Sequence, residues 1–254
     1  MSSPEPAGAD RAQVRRIAMW SGPRNVSTAM MRSWGNRADT AVWDEPLYAH
    51  YLTRYTPDHP GIDEIVAAHE RDWRKVVAAI LGPVPRGRTV FFHKHMAHHM
   101  LPHIDDSWLT KVSNVFLIRD PAEVLLSMSK TMRTVRMRDT GFADQWRLFR
   151  RVREMAGAAP PVVDARDIGT DAEGVLRALC TALDVPFDPA MLAWPAGPRE
   201  TDGVWAKYWY DNVNRSTGFL PWKPRTEPLS KRVKPLLDDC MPIYEELRRN
   251  RLSP

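Results

Sequence analysis

The sequence has little cysteine and no long hydrophobic run, and each shortage excludes a class of protein. Its 254 residues include two cysteines, Cys180 and Cys240, which lie far apart in the chain. Two distant thiols exclude a disulfide framework and a zinc site built from several cysteines. No segment reaches the roughly 18 apolar residues that a membrane-spanning helix needs, so we expect no membrane span.

The first residues, MSSPEPAGAD, lack the basic start and the apolar centre of a signal peptide. We expect residues 1–12 to form a disordered tail and the protein to be cytoplasmic. The remaining length, residues 13–254, suits one domain with one sizeable core. The formal net charge of +5 favours anionic partners in general.

Short apolar runs bounded by turn residues alternate with helical patterns along the chain. The predicted strands cover residues 15–21, 40–45, 89–96, 114–120 and 160–167. The predicted helices cover residues 25–36, 62–81, 121–133, 143–156, 172–184 and 229–251. This alternation predicts an α/β domain with a parallel sheet, in which ligands bind beyond the carboxyl ends of the strands. Because each predicted strand ends in polar residues, we expect these polar ends to meet in one crevice.

The stretch MWSGPRNVSTAMM, residues 19–31, has the form of a phosphate-binding loop without its lysine. Against the pattern GxxxxGK[ST], the second glycine and the lysine that bridges the β- and γ-phosphates are both missing. Backbone N–H groups at a helix start remain, and these bind any compact anion. Arg24 adds a charge, while Ser27 and Thr28 add hydroxyls. The alternative is an ordinary strand–turn–helix in which Asn25 is the N-cap.

A second candidate binding element lies in the stretch VFLIRDPAEVLLS. Arg119 ends a predicted strand, Asp120 is expected to cap the next helix, and Pro121 suits its first turn. Ser127 then lies about two turns into that helix. We expect Arg119 and Ser127 to close on one phosphate group. The alternative is a surface arginine and a serine that faces solvent.

These two elements together resemble the sulfotransferases that use 3′-phosphoadenosine-5′-phosphosulfate (PAPS), and bacterial members in particular. In that family a loop after the first strand holds the 5′-phosphosulfate, and an arginine followed eight positions later by a serine holds the 3′-phosphate. The resemblance covers about residues 15–190 and implies a three-layer fold like that of P-loop nucleotide hydrolases, with a central parallel sheet flanked by helices. The cofactor-binding residues that it implies are Gly22, Pro23, Arg24, Asn25, Val26, Ser27, Thr28, Ala29, Arg119 and Ser127.

Two later parts of the chain depart from the family's pattern. The usual Tyr-Glu-Asp after the late strand reads Ala165-Arg166-Asp167. The closing Arg-Lys-Gly loop is not present as such, and DGVWAKYWYDNVNRSTGF, residues 202–219, lies at its place. The candidates to replace it in binding PAPS are Lys207, Arg215, Ser216 and Thr217.

Sulfuryl transfer needs a base for the acceptor's proton and a cation near the bridging oxygen. HKHMAHHMLPHI resembles KTHLPAHLLP of the cytosolic members, which places His95 on their catalytic histidine. EPLY resembles a stretch of some bacterial members. A glutamate in that region is their proposed base, and its counterpart in this sequence is Glu45. Both remain candidates, and we prefer Glu45 because perturbed carboxylates are common in active sites. Lys94, with Arg24 beside it, is the expected cation at the leaving phosphate oxygen.

The acceptor is expected to be a small molecule with a hydroxyl or an amine. Residues 47–88 and 130–156 are expected to be helical insertions that cap its site, and the basic content of the second favours an acidic acceptor. Histidines recur near residues 93–103, which raises the alternative of a metal cluster. We expect no metal, because carboxylate or cysteine companions are missing from that segment.

Two other functions stay open at this point. A small-molecule kinase or NTPase of the same fold would turn over ATP with Mg²⁺, and the missing lysine counts against it. A non-catalytic binder of RNA or other anionic polymers would suit the net charge of +5. No RNA-binding signature is present, so we expect no nucleic-acid partner. A homodimer is compatible with the sequence.

Overall fold

The computed structural model describes residues 14–55, 60–225 and 227–253. The expected disordered tail, residues 1–12, lies outside these ranges. One sheet contains the strands β1 (Arg15–Ser21), β2 (Thr40–Asp44), β3 (Val90–Met96), β4 (Ser113–Ile118) and β5 (Val162–Asp164). Its order is β2-β3-β1-β4-β5, and every pairing is parallel.

Helices surround the sheet. They are α1 (Ser27–Gly35), α2 (Tyr48–Leu52), α3 (Ile62–Ala68), α4 (Trp73–Leu81), α5 (Pro121–Ser129), α6 (Met137–Thr140), α7 (Phe142–Ala156), α8 (Ala165–Thr170), α9 (Ala172–Ala182), α10 (Ala206–Trp209), α11 (Asp211–Asn214) and α12 (Lys234–Arg248). Short 3₁₀ turns lie at Pro85–Gly87, Ala97–His99, Ser107–Lys111 and Pro189–Leu192. No helix in the described ranges is long and apolar enough to cross a membrane.

Two apolar clusters cover the two faces of the sheet. Alternate residues of each strand point to opposite faces, so Ile17 and Met19 of β1 join α1 and α9 in one cluster. Ala18 and Trp20 join α7 and α12 in the other. The helix–sheet–helix layering confirms the predicted three-layer α/β fold with a central parallel sheet.

The predicted helix 62–81 is wrong as a single element, because the chain turns between α3 and α4. Glu70 accepts backbone hydrogen bonds from Arg71 at 2.9 Å and Asp72 at 2.8 Å, which closes a tight turn. Asp72 then caps α4 by accepting a bond from the Arg74 N–H at 2.9 Å. Acidic side chains that bond their own backbone favour turns and caps over helix interiors, and this competition broke the helical pattern.

The last predicted strand is also too long. β5 ends at Asp164, whose carboxylate accepts a bond from the Arg166 N–H at 2.9 Å and begins α8 there. The expected cap at Asp120 is confirmed, since its side chain accepts a bond from the Ala122 N–H at 2.8 Å. Because all five strands run parallel, the loops after β1, β2, β3 and β4 lie at the same edge of the sheet.

Candidate active site

The loop between β1 and α1 is compact and strained. Arg24 has a φ of 59°, in the left-handed region that non-glycine residues rarely adopt. Gly22 packs so closely that a Cβ on it would lie 2.7 Å from the Thr140 carbonyl oxygen. Backbone strain of this kind is of order 1–3 kcal/mol and occurs preferentially at functional sites.

The structure brings Arg24 together with both residues of the second element. The Arg24 Nε donates to the Ser127 Oγ at 2.9 Å. The Arg119 guanidinium donates to the Arg24 carbonyl oxygen at 2.8 Å. Two guanidinium groups and one hydroxyl thus meet at the carboxyl edge of the sheet. This arrangement matches a site for a doubly charged phosphate group.

The start of α1 is open to an anion. Val26 is its N-cap, and no side chain in the described ranges caps it. Ser27, Thr28 and Ala29 form its first turn, where backbone N–H groups lack intrahelical partners. The alternative that Asn25 is the N-cap is wrong. Its side-chain oxygen accepts from the Val26 N–H at 2.8 Å, ahead of the helix, and its amide nitrogen donates to the Leu117 carbonyl oxygen at 2.9 Å, which fastens the loop to β4.

Two residues that the sequence patterns did not indicate, Arg225 and Glu123, interact with this cluster. Burial lowers the pKa of Arg24, and the nearby charges of Arg119 and Arg225 lower it further. Arg225 therefore lies within electrostatic range of the cluster. Glu123 pairs with Arg119 at 2.8 Å and accepts a bond from the Trp222 indole at 2.8 Å. The available signal was the stretch PWKPR, residues 221–225, which carries two cations beside a tryptophan.

The expected replacements for the closing loop have other partners. Lys207 pairs with Glu64 on α3, with their charged atoms 2.6 Å apart. Arg215 donates to the Asn212 side chain at 2.8 Å. Two further candidates, Ser216 and Thr217, hold Trp194 through the serine hydroxyl and the threonine carbonyl oxygen. None of these contacts is to Arg24, Arg119 or Ser127, and the role of the four residues in binding PAPS stays a prediction.

A second cluster lies at the ends of β2 and β3. The Lys94 Nζ donates to the Asp44 Oδ1 at 2.8 Å and to the Glu45 Oε1 at 2.5 Å. Its third donor contacts the Tyr210 hydroxyl at 2.7 Å. That hydroxyl in turn donates to the Asp44 Oδ2 at 2.7 Å. Glu45 is the second strained residue of the site, with a φ of 42°.

The electrostatics of this cluster make Glu45 a candidate base. Burial raises the pKa of Glu45 above its usual range, and the charge of Lys94 offsets this only in part. Burial opposes the charge on Lys94, but Asp44 and Glu45 outweigh it and raise its pKa well above normal. A carboxyl whose pKa lies closer to neutrality is a stronger base toward a hydroxyl proton.

The role predicted for Lys94 needs correction. An ammonium group has three donors, and Asp44, Glu45 and Tyr210 take all of them. The side chain is also completely buried. Lys94 therefore holds the candidate base in place, and Arg24 is the remaining candidate for the cation beside a bound phosphate.

The structure also does not bring His95 into the site. His95 follows Lys94 in β3, so its side chain points to the opposite face of the sheet. Its ring stacks on Trp20 with centroids 4.4 Å apart and is 1% exposed. Burial lowers its pKa to about 3, so the ring is neutral at pH 7. Its surroundings are those of a core residue.

Two later histidines lie closer to Glu45. The His99 Nδ1 is 3.8 Å from the Glu45 Oε2, and the ring stacks on Tyr48 of α2. His98 contacts both His99 and Tyr51 edge-on. In the described ranges no three His, Cys, Asp or Glu side chains are arranged to hold a metal ion.

The two expected insertions flank this cluster. α2, within residues 47–88, places Tyr48 and Tyr51 beside His99. α6, within residues 130–156, lies near enough that Asp139 contributes to raising the pKa of Tyr51, after burial as the main cause. The proposed capping of an acceptor by these segments stays a prediction.

Similar proteins were found by sequence. The chain is 37% identical over 236 residues to the branched-chain-amino-acid aminotransferase-like protein 2 of Arabidopsis thaliana, covering 91% of this chain and 41% of that protein. It is 36% identical over 239 residues to the like-named protein 1, covering 93% of this chain and 42% of that protein. The chain thus spans about two fifths of the length of these relatives.

Similar structures show the same fold. The sulfotransferase domain of the Synechococcus PCC 7002 olefin synthase superposes with a TM-score of 0.55 at 17% identity, covering 94% of this chain and 97% of that chain. A sulfotransferase from Alicyclobacillus acidocaldarius superposes with a TM-score of 0.53 at 12% identity, covering 92% and 94%. A family model described as a sulfotransferase domain matches residues 15–251. The chain therefore belongs to the sulfotransferase domain family.

Proposed function

We propose that this protein transfers a sulfuryl group from PAPS to a hydroxyl or amine of a small-molecule acceptor. The observation that carries the proposal is the meeting of two clusters at one edge of the sheet. Arg24, Arg119 and Ser127 form a basic cradle. Glu45, whose pKa is raised, directly follows β2, and β2 lies two strands away from β1 in the same sheet. Together they offer an anion site and a base.

The cradle fits the anionic groups of PAPS. The side chains of Arg119 and Ser127 would hold the 3′-phosphate, with Arg24 and Arg225 adding charge. The backbone of residues 22–26 and the first turn of α1 would hold the 5′-phosphosulfate. No γ-phosphate or Mg²⁺ has to be bound, which accounts for the absence of the second glycine and the lysine.

PAPS supplies the sulfuryl group, so transfer joins the acceptor oxygen or nitrogen to sulfur and breaks the bond from sulfur to the 5′-phosphate oxygen. The Glu45 Oε1 is held by Lys94, which leaves Oε2 to take the acceptor's proton. Arg24 and the helix start stabilise the negative charge that develops on the departing phosphate. The enzyme's work is alignment and charge stabilisation.

The acceptor remains a prediction: a small molecule rather than a nucleic acid. The cytoplasmic setting and a homodimer are also predictions. The names of the plant relatives belong to proteins more than twice as long as this chain, and they do not identify its acceptor.

Calorimetric titration with 3′-phosphoadenosine-5′-phosphate (PAP) and, separately, with ATP and Mg²⁺ tests the proposal. We expect micromolar binding of PAP and no measurable binding of ATP. The opposite preference would instead support a kinase or NTPase.

Arg119→Ala tests the assignment of the 3′-phosphate. Loss of a charge-assisted hydrogen bond weakens binding by about 1.5–3 kcal/mol, so PAP affinity should fall roughly 10- to 100-fold. Arg177→Ala removes an exposed arginine that also pairs with a glutamate, and it should leave PAP affinity unchanged. Equal affinities of the two variants would refute the assignment.

A further inference from the structure

His98 lies at the junction of two loops that approach each other closely. Gly141 has a φ of 75°, and a Cβ on it would lie 3.1 Å from the Gly22 Cα and 3.2 Å from the Pro23 Cδ. The same point is 3.8 Å from the His98 Nδ1. The Nδ1 atom therefore lies beside the point where Gly141 approaches the loop that follows β1.

The His98 ring also contacts two residues near the candidate base. Its centroid is 4.5 Å from that of His99 and 5.2 Å from that of Tyr51, both edge-on. His99 in turn approaches the Glu45 carboxylate, with its Nδ1 3.8 Å from the Glu45 Oε2. Contacts thus run from the anion-binding loop through Gly141, His98 and His99 to the base.

The Nδ1 of His98 is buried and has no hydrogen-bond partner among the residues that the structure describes. The residue as a whole is only partly buried, although this nitrogen is buried. Burial lowers the pKa of His98 to about 4, and the ring is neutral at pH 7. A buried polar atom without a partner is rare in folded proteins, and a ligand that supplies the partner removes the penalty.

We propose that the Nδ1 of His98 donates a hydrogen bond to an oxygen of the sulfuryl group of PAPS. This inference rests on the proposed function and adds a residue to it. Negative charge spreads over the sulfuryl oxygens during transfer, and a fixed neutral donor stabilises that charge. A neutral imidazole has one N–H, and we place it on Nδ1.

The motif comparison did not point to this residue. HKHMAHHMLPHI aligned with KTHLPAHLLP sets His98 opposite an alanine. His95, which aligns with the catalytic histidine, the first of two in that pattern, points away from Lys94 on the other face of the sheet. The structure therefore assigns the sulfuryl contact to a position where the motif carries no polar side chain.

Comparison of PAPS with PAP isolates the proposed contact, because PAP lacks the sulfuryl group. In His98→Ala we expect calorimetric affinity for PAPS to fall roughly tenfold, as for loss of one hydrogen bond to a charged group, with PAP affinity within twofold of the native protein. His98→Asn carries an amide near the place of Nδ1 and should recover most of the PAPS affinity. His98→Gln places its amide nearer to Nε2 and should not.

His103→Ala is the matched control. This exposed histidine contacts His50 with their Nε2 atoms 2.9 Å apart, and its removal should change neither affinity. Equal losses for PAPS and PAP in His98→Ala, or no loss for PAPS, would overturn the role of His98 while leaving the proposed function intact. A native protein that binds neither ligand would overturn both.

Discussion

The two faces of β3 carry neighbouring buried polar residues in opposite surroundings. The Lys94 ammonium has charged or hydroxyl partners for all three of its donors, two of them on Asp44 and Glu45. In the next residue, His95, neither ring nitrogen has a hydrogen-bond partner within the described ranges. Both side chains are buried, so burial alone does not separate a site from a core.

The two faces of β3 differ in the protonation state that their surroundings stabilise. On the Lys94 face, opposite charges keep an ammonium group charged beside a carboxyl whose pKa is raised. On the His95 face, apolar rings exclude charge and keep the imidazole neutral. A group that works as a base must exchange a proton with a ligand. Glu45 can do so, whereas His95 is held away from ligands by the sheet itself.

Glu45→Gln should have the largest effect, because it removes the proposed base and keeps its shape. General base catalysis contributes about 10²–10⁴-fold, and we expect a loss of that size in the single-turnover rate of sulfuryl transfer from PAPS. The measurement uses radiolabelled PAPS and an acceptor found in a panel of phenols, alcohols and amines. PAP affinity should stay within about threefold.

His95→Asn is the comparison for that experiment. It alters the candidate base on the other face of the same strand, and transfer should persist in the fraction of protein that is folded. Loss of the chemical step in His95→Asn with a normal rate in Glu45→Gln would reverse our assignment of the base.

Lys94→Met should destabilise the fold by about 3–5 kcal/mol. Removing one partner of a buried ion pair leaves the charge on Asp44 and Glu45 uncompensated. Urea unfolding followed by tryptophan fluorescence measures the change in the free energy of unfolding. Lys207→Met, at an exposed ion pair with Glu64, should change it little. Similar values for the two variants would contradict the structural role of Lys94.

Tyr210→Phe should cost about 1–3 kcal/mol, since it leaves buried partners without the hydroxyl that joins them. That hydroxyl accepts from Lys94 and from the Trp205 indole, and it donates to Asp44. The measurement is again the free energy of unfolding in urea. Tyr208→Phe removes a hydroxyl that only approaches Glu64, at 3.5 Å, and serves as the control. A Tyr210→Phe protein as stable as the control would refute this role.

The fold was predictable because its signals are local. The apolar runs predicted as strands at residues 15–21 and 114–120 contain β1 and most of β4, and Asp120 followed by Pro121 marks a helix start. The meeting of Arg24 with Arg119 also followed from the sequence, because the carboxyl ends of parallel strands share one edge.

The rest of the site depends on contacts between distant segments. Tyr210 reaches Lys94 across 116 positions of the chain, and no pattern in the sequence indicates it. Lys94 and His95 are adjacent, and either could have faced the base until the register of β3 was known. Arg225 lies outside the segment that the family's pattern suggested. Packing sets the direction of a side chain and the path of a late loop. Short motifs do not specify that packing.

His95→Phe tests the His95 face of β3. The measured quantity is the free energy of unfolding at acidic pH. The folded protein holds His95 neutral with a pKa of about 3, whereas in an unfolded chain its pKa lies near the ordinary histidine value of 6.5. Protons therefore bind the unfolded chain preferentially, and the free energy of unfolding should fall as the pH drops from 6.5 toward 3, by about 1.4 kcal/mol per pH unit for this one group. Phenylalanine keeps a ring on Trp20 and removes the titration.

Urea unfolding at several pH values between 6 and 4 measures the slope. We expect a shallower decline in His95→Phe than in the native protein, in which His93, whose pKa burial also lowers, adds to the slope. His103→Phe alters an exposed histidine and should leave most of the slope in place. An unchanged slope in His95→Phe would mean that His95 exchanges protons in the folded state. That result would return it to the candidates for the base and remove the contrast between the two faces of β3.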